Sequence, residues 1–279
     1  MATEHHGSYA PGYKPSHIAH HEWRTAENSA AYLLPHITKR VQEKADIRLL
    51  DVGAGPGTIS AGFAKYLPNG RVVATDISDK VLDRAREHAA AAGVHNIDFR
   101  NASVYELPFA DASFDVVHAS QVLCHLDRPE QALAEMVRVT KPGGVVGVRE
   151  SDLRTVACWP DIKEVKDAFD LIADAMEQNG GSGMGGRKLI PWALAAGVPR
   201  DAITMTYGTW CFSEPADRKV WASAMIARFK GGEIRERAVR TGLASEEEME
   251  AMVRGLERWI DSEDASMGLL HGELLINVT

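Results

Sequence analysis

Cysteine is scarce: the 279 residues hold three, Cys124, Cys158 and Cys211, far apart along the chain. An odd, scattered set excludes a disulfide framework and a cysteine-built zinc site, and it fits a reducing, cytoplasmic setting. Positive charge is short as well. The formal net charge is −8 and lysine and arginine never gather in a block, so the electrostatic footprint of a nucleic-acid binder is missing. No apolar run reaches the ~18 residues that a membrane-spanning helix needs. Residues Met1 to Ser16 are polar, interrupted by Gly7, Pro11, Gly12 and Pro15. They lack the hydrophobic stretch of a secretory leader and read as a mobile arm. Two phosphate signatures are also absent. No Gly-Lys-Ser/Thr follows a glycine turn, and the dinucleotide fingerprint lacks its third glycine, because Thr58 stands in that place.

What is present is the stretch Arg48-Leu49-Leu50-Asp51-Val52-Gly53-Ala54-Gly55-Pro56-Gly57-Thr58. An apolar run closed by an acid reads as a buried strand. Three glycines at alternate positions follow, and Thr58 to Leu67 has a helical pattern. Glycine permits φ > 0 and bares the backbone to a ligand. Pro56 suits the first turn of the helix, where its missing N–H costs nothing. The free N–H groups and the positive dipole end of that turn favour an anionic ligand group. A strand, a glycine turn and a helix in this order make a nucleotide-type site at the carboxyl end of a parallel sheet. The pattern Asp51-x-Gly53-x-Gly55-x-Gly57 resembles the first motif of class I S-adenosylmethionine (SAM)-dependent methyltransferases. A dinucleotide turn or a purely structural turn is the competing reading.

Strand two, Arg71 to Thr75, is closed by Asp76, about 20 residues past the glycine turn, where an acid accepts ribose hydroxyls. Its bland role would be to cap the helix that starts near Ser78. That helix, Lys80 to Ala92, stops at Gly93, and Asn96 to Arg100 reads as strand three. Further on, Leu107-Pro108-Phe109, Ser113-Phe114-Asp115-x-Val117, Val122-Leu123-Cys124-His125-Leu126 and Lys141-Pro142-Gly143-Gly144 are similar to successive motifs of the UbiE/COQ5-like group of these methyltransferases. Ser103 takes the place of the acid that in that group contacts the adenine, and Ala102 the place of a glycine. Arg187-Lys188-Leu189 with Ala196-Gly197 is a weaker echo.

The resemblance implies an α/β, Rossmann-like, doubly wound seven-stranded sheet with its last strand antiparallel. N-terminal lid helices and a helical insertion near the C-terminus complete it. The expected division is an arm and lid over 1–40, a SAM-binding core over 41–150, and 151–279 finishing the sheet and covering the substrate. Expected cofactor contacts are Asp51, Gly53, Ala54, Gly55, Asp76, Ile77, Ser103, Val104, Ser120 and Gln121. His125, at the end of a central strand, reads as a general base or as structural packing.

The segment His17 to Leu34 reads as one or two amphipathic helices ending near Pro35, with Trp23, Arg24 and Tyr32 in the lid. His17, His20 and His21 share a helix face, but no acid or cysteine completes a ligand set, so no metal is expected. Glu150, Asp152, Trp23, Tyr32 and Trp192 are the expected substrate contacts. The aromatic and methionine residues Trp159, Trp210, Trp221 and Met225 read as core or as an apolar cover. Helices are expected over Asp161–Gln178, Pro215–Phe229 and Ser245–Ser262, a strand over Ala202–Trp210 and a final strand over His271–Val278. Residues Asn179 to Gly186 read as a flexible, gate-like loop. The expected activity is methyl transfer from SAM to O, N, S or C of a small, largely apolar or aromatic metabolite. A SAM-binding regulator without transferase activity and a SAM-dependent cyclase stand as alternatives. No nucleic-acid partner and no membrane span are expected, and a homodimer is left open.

Overall fold

The computed structural model describes residues 21–279. The readings of Met1 to Ser16, of His17 and of His20 lie outside the described residues. Helices α1 (Ala26–Ser29) and α2 (Leu34–Glu43) precede the sheet. Thr25 opens α1 with a capping box: its hydroxyl accepts from the Asn28 N–H, while the Asn28 side chain receives the Thr25 N–H. Pro35 sits in the first turn of α2 instead of ending a helix, the position where proline's missing N–H is harmless.

Five parallel strands follow: β1 (Arg48–Val52), β2 (Arg71–Asp76), β3 (Ile97–Asn101), β4 (Phe114–Ser120) and β5 (Thr140–Ser151). They pair in the order β3-β2-β1-β4-β5. Leu49, Leu50, Val116, Val117, Val145 and Val146 are wholly buried, covering both faces of the sheet as continuous apolar runs do. The crossovers are α3 (Thr58–Tyr66), α4 (Asp79–Ala91) and α5 (Pro129–Val139); a loop joins β3 to β4. Gly57 caps α3 with φ 77°, so Pro56 lies just before the helix and not in its first turn. The Lys141-Pro142-Gly143-Gly144 turn is a bulge inside β5. Phe114 pairs with Thr140 but Val116 with Val145, and Gly143 has φ 77°.

The second half completes the sheet. β6 (Ala157–Trp159) leads to α6 (Lys163–Gln178) and α7 (Gly185–Ala195); β7 (Ile203–Phe212) leads to α8 (Pro215–Lys230), α9 (Glu233–Thr241) and α10 (Glu246–Asp261). The last strand, β8 (Ser266–Asn277), is antiparallel to β5, to β6 and to β7. It lies between β5 and β7, and its first residues hold β6. Among the described residues the sheet therefore has eight strands instead of seven, because a three-residue strand too short to show periodicity joins its edge.

Leu133, Leu189 and Leu274 pack on one face of the sheet, and Leu33, Ile37 and Phe63 on the other. A third cluster, with Phe169, Phe229, Leu256 and Trp259, is the separate core of a cap formed by α6, α8, α9 and α10. The glycine-rich segment before α7 is close-packed. A Cβ at Gly181 would lie 2.4 Å from the Cys124 carbonyl oxygen, and one at Gly183 2.3 Å from the Ala173 Cβ. These glycines serve close approach of backbones, not a gate. Among the described residues no helix is long and apolar enough to cross a membrane.

Candidate active site

At the carboxyl ends of β1, β2 and β4 lies a crevice of about 1150 Å³, open solvent included, walled by the glycine turn, Asp76, Ile77, Ala102, Val104 and Ser120. Gly53 and Gly55 have φ 64° and 57°, where a side chain is strained. A Cβ on Gly53 would meet Val122 at 2.4 Å. On Gly55, which lines the crevice, a Cβ would meet nothing within 4 Å. The first glycine is required by packing; the second leaves bare backbone facing open space.

Asp51, next to last in β1, is turned inward. Its Oδ1 lies 2.7 Å from Nδ1 of His118, its register partner on β4, and its Oδ2 accepts the Ser60 hydroxyl of α3 at 2.5 Å. The acid thus ties strand, neighbouring strand and helix together beneath the turn. Asp76 accepts N–H groups from Gly55 at 3.1 Å and Ser78 at 3.0 Å. Burial raises its pKa, backbone hydrogen bonds oppose that, and the nearby Asp51 charge adds to it. The Ser120 hydroxyl is buried, lines the crevice and has no protein partner.

Gln121 marks the end of the crevice. It holds φ 55°, rare for a residue with a side chain. Its N–H donates to the Arg149 carbonyl at 2.8 Å, and its Oε1 accepts from Arg24 at 3.0 Å. Strain of this kind persists where surroundings over-determine it. His21, Arg24, Gln121 and His125 wall both this crevice and a second chamber of about 910 Å³ beneath the helical cap. Phe169, Ile172, Trp210, Trp221 and Met225 give that chamber its apolar lining.

The sequence profile of the family described as "Methyltransferase domain" matches residues 50–148. An uncharacterized methyltransferase of Schizosaccharomyces pombe is 40% identical over 226 residues, 78% of each chain. The chain belongs to the SAM-dependent methyltransferases. A protein of Aspergillus luteorubrus named "Probable methyltransferase ltbC" is 29% identical over 294 residues, 96% of each chain. Among solved structures, a phosphoethanolamine N-methyltransferase of Haemonchus contortus holding S-adenosylhomocysteine has TM-score 0.55 and 16% identity. That match covers 96% of this chain and 59% of the other, and shares the fold.

The crevice suits the cofactor of this methyltransferase. Gly55 leaves room for a ligand against backbone, Asp76 offers acceptor oxygens, and the unsatisfied Ser120 hydroxyl lacks a partner that a bound polar group would supply. Nine of the ten expected cofactor residues wall it: Asp51, Gly53, Ala54, Gly55, Asp76, Ile77, Val104, Ser120 and Gln121. Ser103 does not. Its hydroxyl accepts from the Tyr105 N–H at 3.3 Å in a local turn, and Ala102 and Val104 form the wall beside it. Asp76 also belongs to the turn entering α4, whose cap is Ser78.

His125 walls both chambers. Burial, together with the charges of Arg24 and Arg228, pushes it down to about 4, so the imidazole is neutral near pH 7. The expected substrate contacts are placed elsewhere. Trp23 and Tyr32 line a separate surface cleft with Arg149 and Glu273. Trp23 donates to Asp217 at 2.9 Å and packs edge-on against Trp210, with ring centroids 5.5 Å apart. Glu150, Asp152 and Trp192 line neither chamber. Glu150 accepts the N–H groups of Val122 at 3.0 Å and Leu123 at 2.8 Å, fixing the turn that carries His125. Asp152 is paired with Arg187, and Trp192 packs on the core beside α5. Trp159 is exposed and bonds Asp264 at 2.9 Å, so it covers nothing. Arg228, Arg237 and Phe169 line the cap chamber without any motif to announce them. Phe169 and Arg228 fall within expected helices, whereas Arg237 lies on α9, which was not expected. Among the described residues no group of three or more His, Cys, Asp or Glu is placed to hold a metal.

Proposed function

We propose that this methyltransferase acts on a small, largely apolar or aromatic molecule held in the cap chamber. The observation that carries the reading is the shared wall: His21, Arg24, Gln121 and His125 border both the glycine-turn crevice and the aromatic chamber. A donor in one and an acceptor in the other would meet there. When bound, SAM supplies a methyl group already activated on a sulfonium, and the C–S electron pair stays on sulfur. The protein's work is then positioning and exclusion of water, which is worth several orders of magnitude. The backbone of Gly55 and the carboxylate of Asp76 would hold the donor's amino-acid and sugar parts, and Ile77 and Val104 would flank its base. The strained Gln121, clamped by Arg24, shapes the passage between chambers.

His125 orients rather than deprotonates in this reading. A group whose conjugate acid lies at about 4 takes a proton poorly from a phenol or an amine. It is a neutral hydrogen-bonding group at the passage. The likeness to the UbiE-type group rests on core motifs from Asp51 to Gly144, whereas the chamber is built from the cap. A quinone precursor is therefore one member of the substrate class, with no preference over other aromatic acceptors. The test is incubation with methyl-labelled SAM and a small-molecule extract. Transfer of label to an apolar metabolite supports the reading. Cofactor binding with no labelled product under any condition would leave a SAM-binding regulator or a cyclase.

A further inference from the structure

His271 lies inside the sheet, wholly buried on β8, where it pairs with Ser151 of β5 and Gly208 of β7. It lines neither chamber, yet its ring backs their walls. It packs against Trp210 of the cap chamber, with ring centroids 4.2 Å apart. Its Nε2 lies 3.4 Å from Nε2 of Gln121 at the passage.

The chemistry of these groups allows one arrangement of protons. An amide nitrogen donates and does not accept, so Nε2 of His271 must offer its lone pair to Gln121. The other ring nitrogen, Nδ1, lies 3.1 Å from the carbonyl oxygen of Leu269. A carbonyl only accepts, so Nδ1 carries the proton. The imidazole is thereby held from both sides as the neutral Nδ1–H tautomer. An imidazolium would turn a second N–H against the amide N–H. The same logic fixes Gln121. Its Oε1 accepts from Arg24 at 3.0 Å. Turned over, the amide would set its N–H groups against the guanidinium and its oxygen against the imidazole lone pair.

A directed chain results: Arg24 donates to Gln121, Gln121 to His271, and His271 to the backbone of its own strand. The surroundings agree with a neutral ring. Burial, with the charges of Arg149 on β5 and of Arg24, holds the His271 imidazole well below its ordinary range. The link joins residues 150 positions apart, and it ends on the one that keeps a strained φ of 55°.

We propose that His271 is a positioning residue for methyl transfer: accepting at Nε2, it fixes the amide of Gln121 and with it the shape of the passage between donor and acceptor. This deepens the methyltransferase reading and rests on it. His271 touches neither reactant in this arrangement and moves no proton. Its contribution is geometric, of the kind that near-attack positioning makes valuable.

The test begins with long-range proton–nitrogen NMR of protein carrying isotope-labelled histidines and saturated with S-adenosylhomocysteine. The coupling pattern of an imidazole shows which nitrogen bears the proton. His271 is assigned as the signal lost in His271→Gln or displaced in Gln121→Met. It is expected as the Nδ1–H tautomer, unchanged between about pH 5.5 and 8. Calorimetry with S-adenosylhomocysteine then measures the coupling of the two side chains. His271→Phe is expected to weaken binding about three- to tenfold in the native background, and by less than about twofold where Gln121→Met has already removed the amide. His271→Gln, which keeps an acceptor oxygen, should recover most of the loss. A merely structural histidine would cost the same in both backgrounds. An Nε2–H tautomer, an imidazolium in that pH range, or equal losses with and without the Gln121 amide would each overturn the proposal. Failure of S-adenosylhomocysteine itself to bind would instead sink the methyltransferase reading, and the tautomer of the cofactor-free protein then decides whether the hydrogen-bond chain exists.

Discussion

The backbone N–H of Gly55 donates to the carboxylate of Asp76 across 3.1 Å, so the glycine turn and the acid of the neighbouring strand are one unit. The remaining lone pairs of that carboxylate are what a ribose would use. Replacing Asp76 by Ala removes a charged acceptor worth roughly 1.5–3 kcal/mol per hydrogen bond. The expected outcome is a loss of about ten- to a hundredfold in S-adenosylhomocysteine affinity by calorimetry, with Asn intermediate. Unchanged affinity in the Ala variant would remove Asp76 from the cofactor site.

Gly53 and Gly55 separate packing from binding. Both hold positive φ, but an added Cβ collides with Val122 only at Gly53. Strain alone costs roughly 1–2 kcal/mol. Gly53→Ala is therefore expected to lower the melting temperature more than Gly55→Ala, while Gly55→Ala loses proportionally more cofactor affinity. Thermal scans with and without S-adenosylhomocysteine read both quantities, and the reverse ranking would contradict this division.

Glu150 makes stability depend on pH. Burial raises its pKa from 4.5 to about 7, so the folded chain holds this proton more tightly than the unfolded one. Stability then falls as pH rises from 4.5 through 7; at ~1.4 kcal/mol per pH unit the loss is roughly 3 kcal/mol. Glu150→Gln keeps an oxygen for the Val122 and Leu123 N–H groups and cannot ionise. In urea titrations it should match wild type near pH 5 and exceed it by about 1–3 kcal/mol near pH 8. His125 acts in the opposite sense. Its pKa is lowered from 6.5 to about 4, so its contribution is present above 6.5 and is lost as pH falls toward 4, a limb that Glu150→Gln should retain.

His125→Asn probes catalysis directly. A general base is worth about 10²–10⁴ in rate. A neutral positioning group should cost about tenfold in kcat, with no inflection between pH 5.5 and 8 in either protein. A larger loss accompanied by a vanished inflection would restore the base.

The glycine-turn crevice was legible because its signals are local. Leu49 to Val52 is a continuous apolar run, and Gly53, Gly55 and Gly57 sit at fixed offsets from it. The lining of the second chamber was not. Glu150 and Asp152 end β5 at the correct edge of the sheet, yet one is consumed by the N–H groups of Val122 and Leu123 and the other by Arg187. Those partners are tertiary, 27 to 35 residues away. Helix α9 escaped notice because Arg and Glu dominate it and only Ile234 and Ala238 are buried. Pro35 misled because the same residue that stops one helix can open the next. The glycines at 180–186 read as slack chain, although their missing side chains let α6, β5 and the turn at Cys124 close on one another.

The position of β8 has a consequence in time. It is the last of the described strands to be synthesised, yet it sits inside the sheet, pairing β5 through contacts 124 residues apart such as Arg149 with Glu273, and pairing β7 on its other side. The five parallel strands can assemble while translation continues, but β7 and the helices behind it have no edge to join until β8 emerges. During biogenesis the glycine-turn crevice can therefore form before the aromatic chamber, whose wall includes Trp210 of β7 and Leu269 of β8, and an early-bound ligand of that crevice would work as an internal chaperone for the unfinished chain.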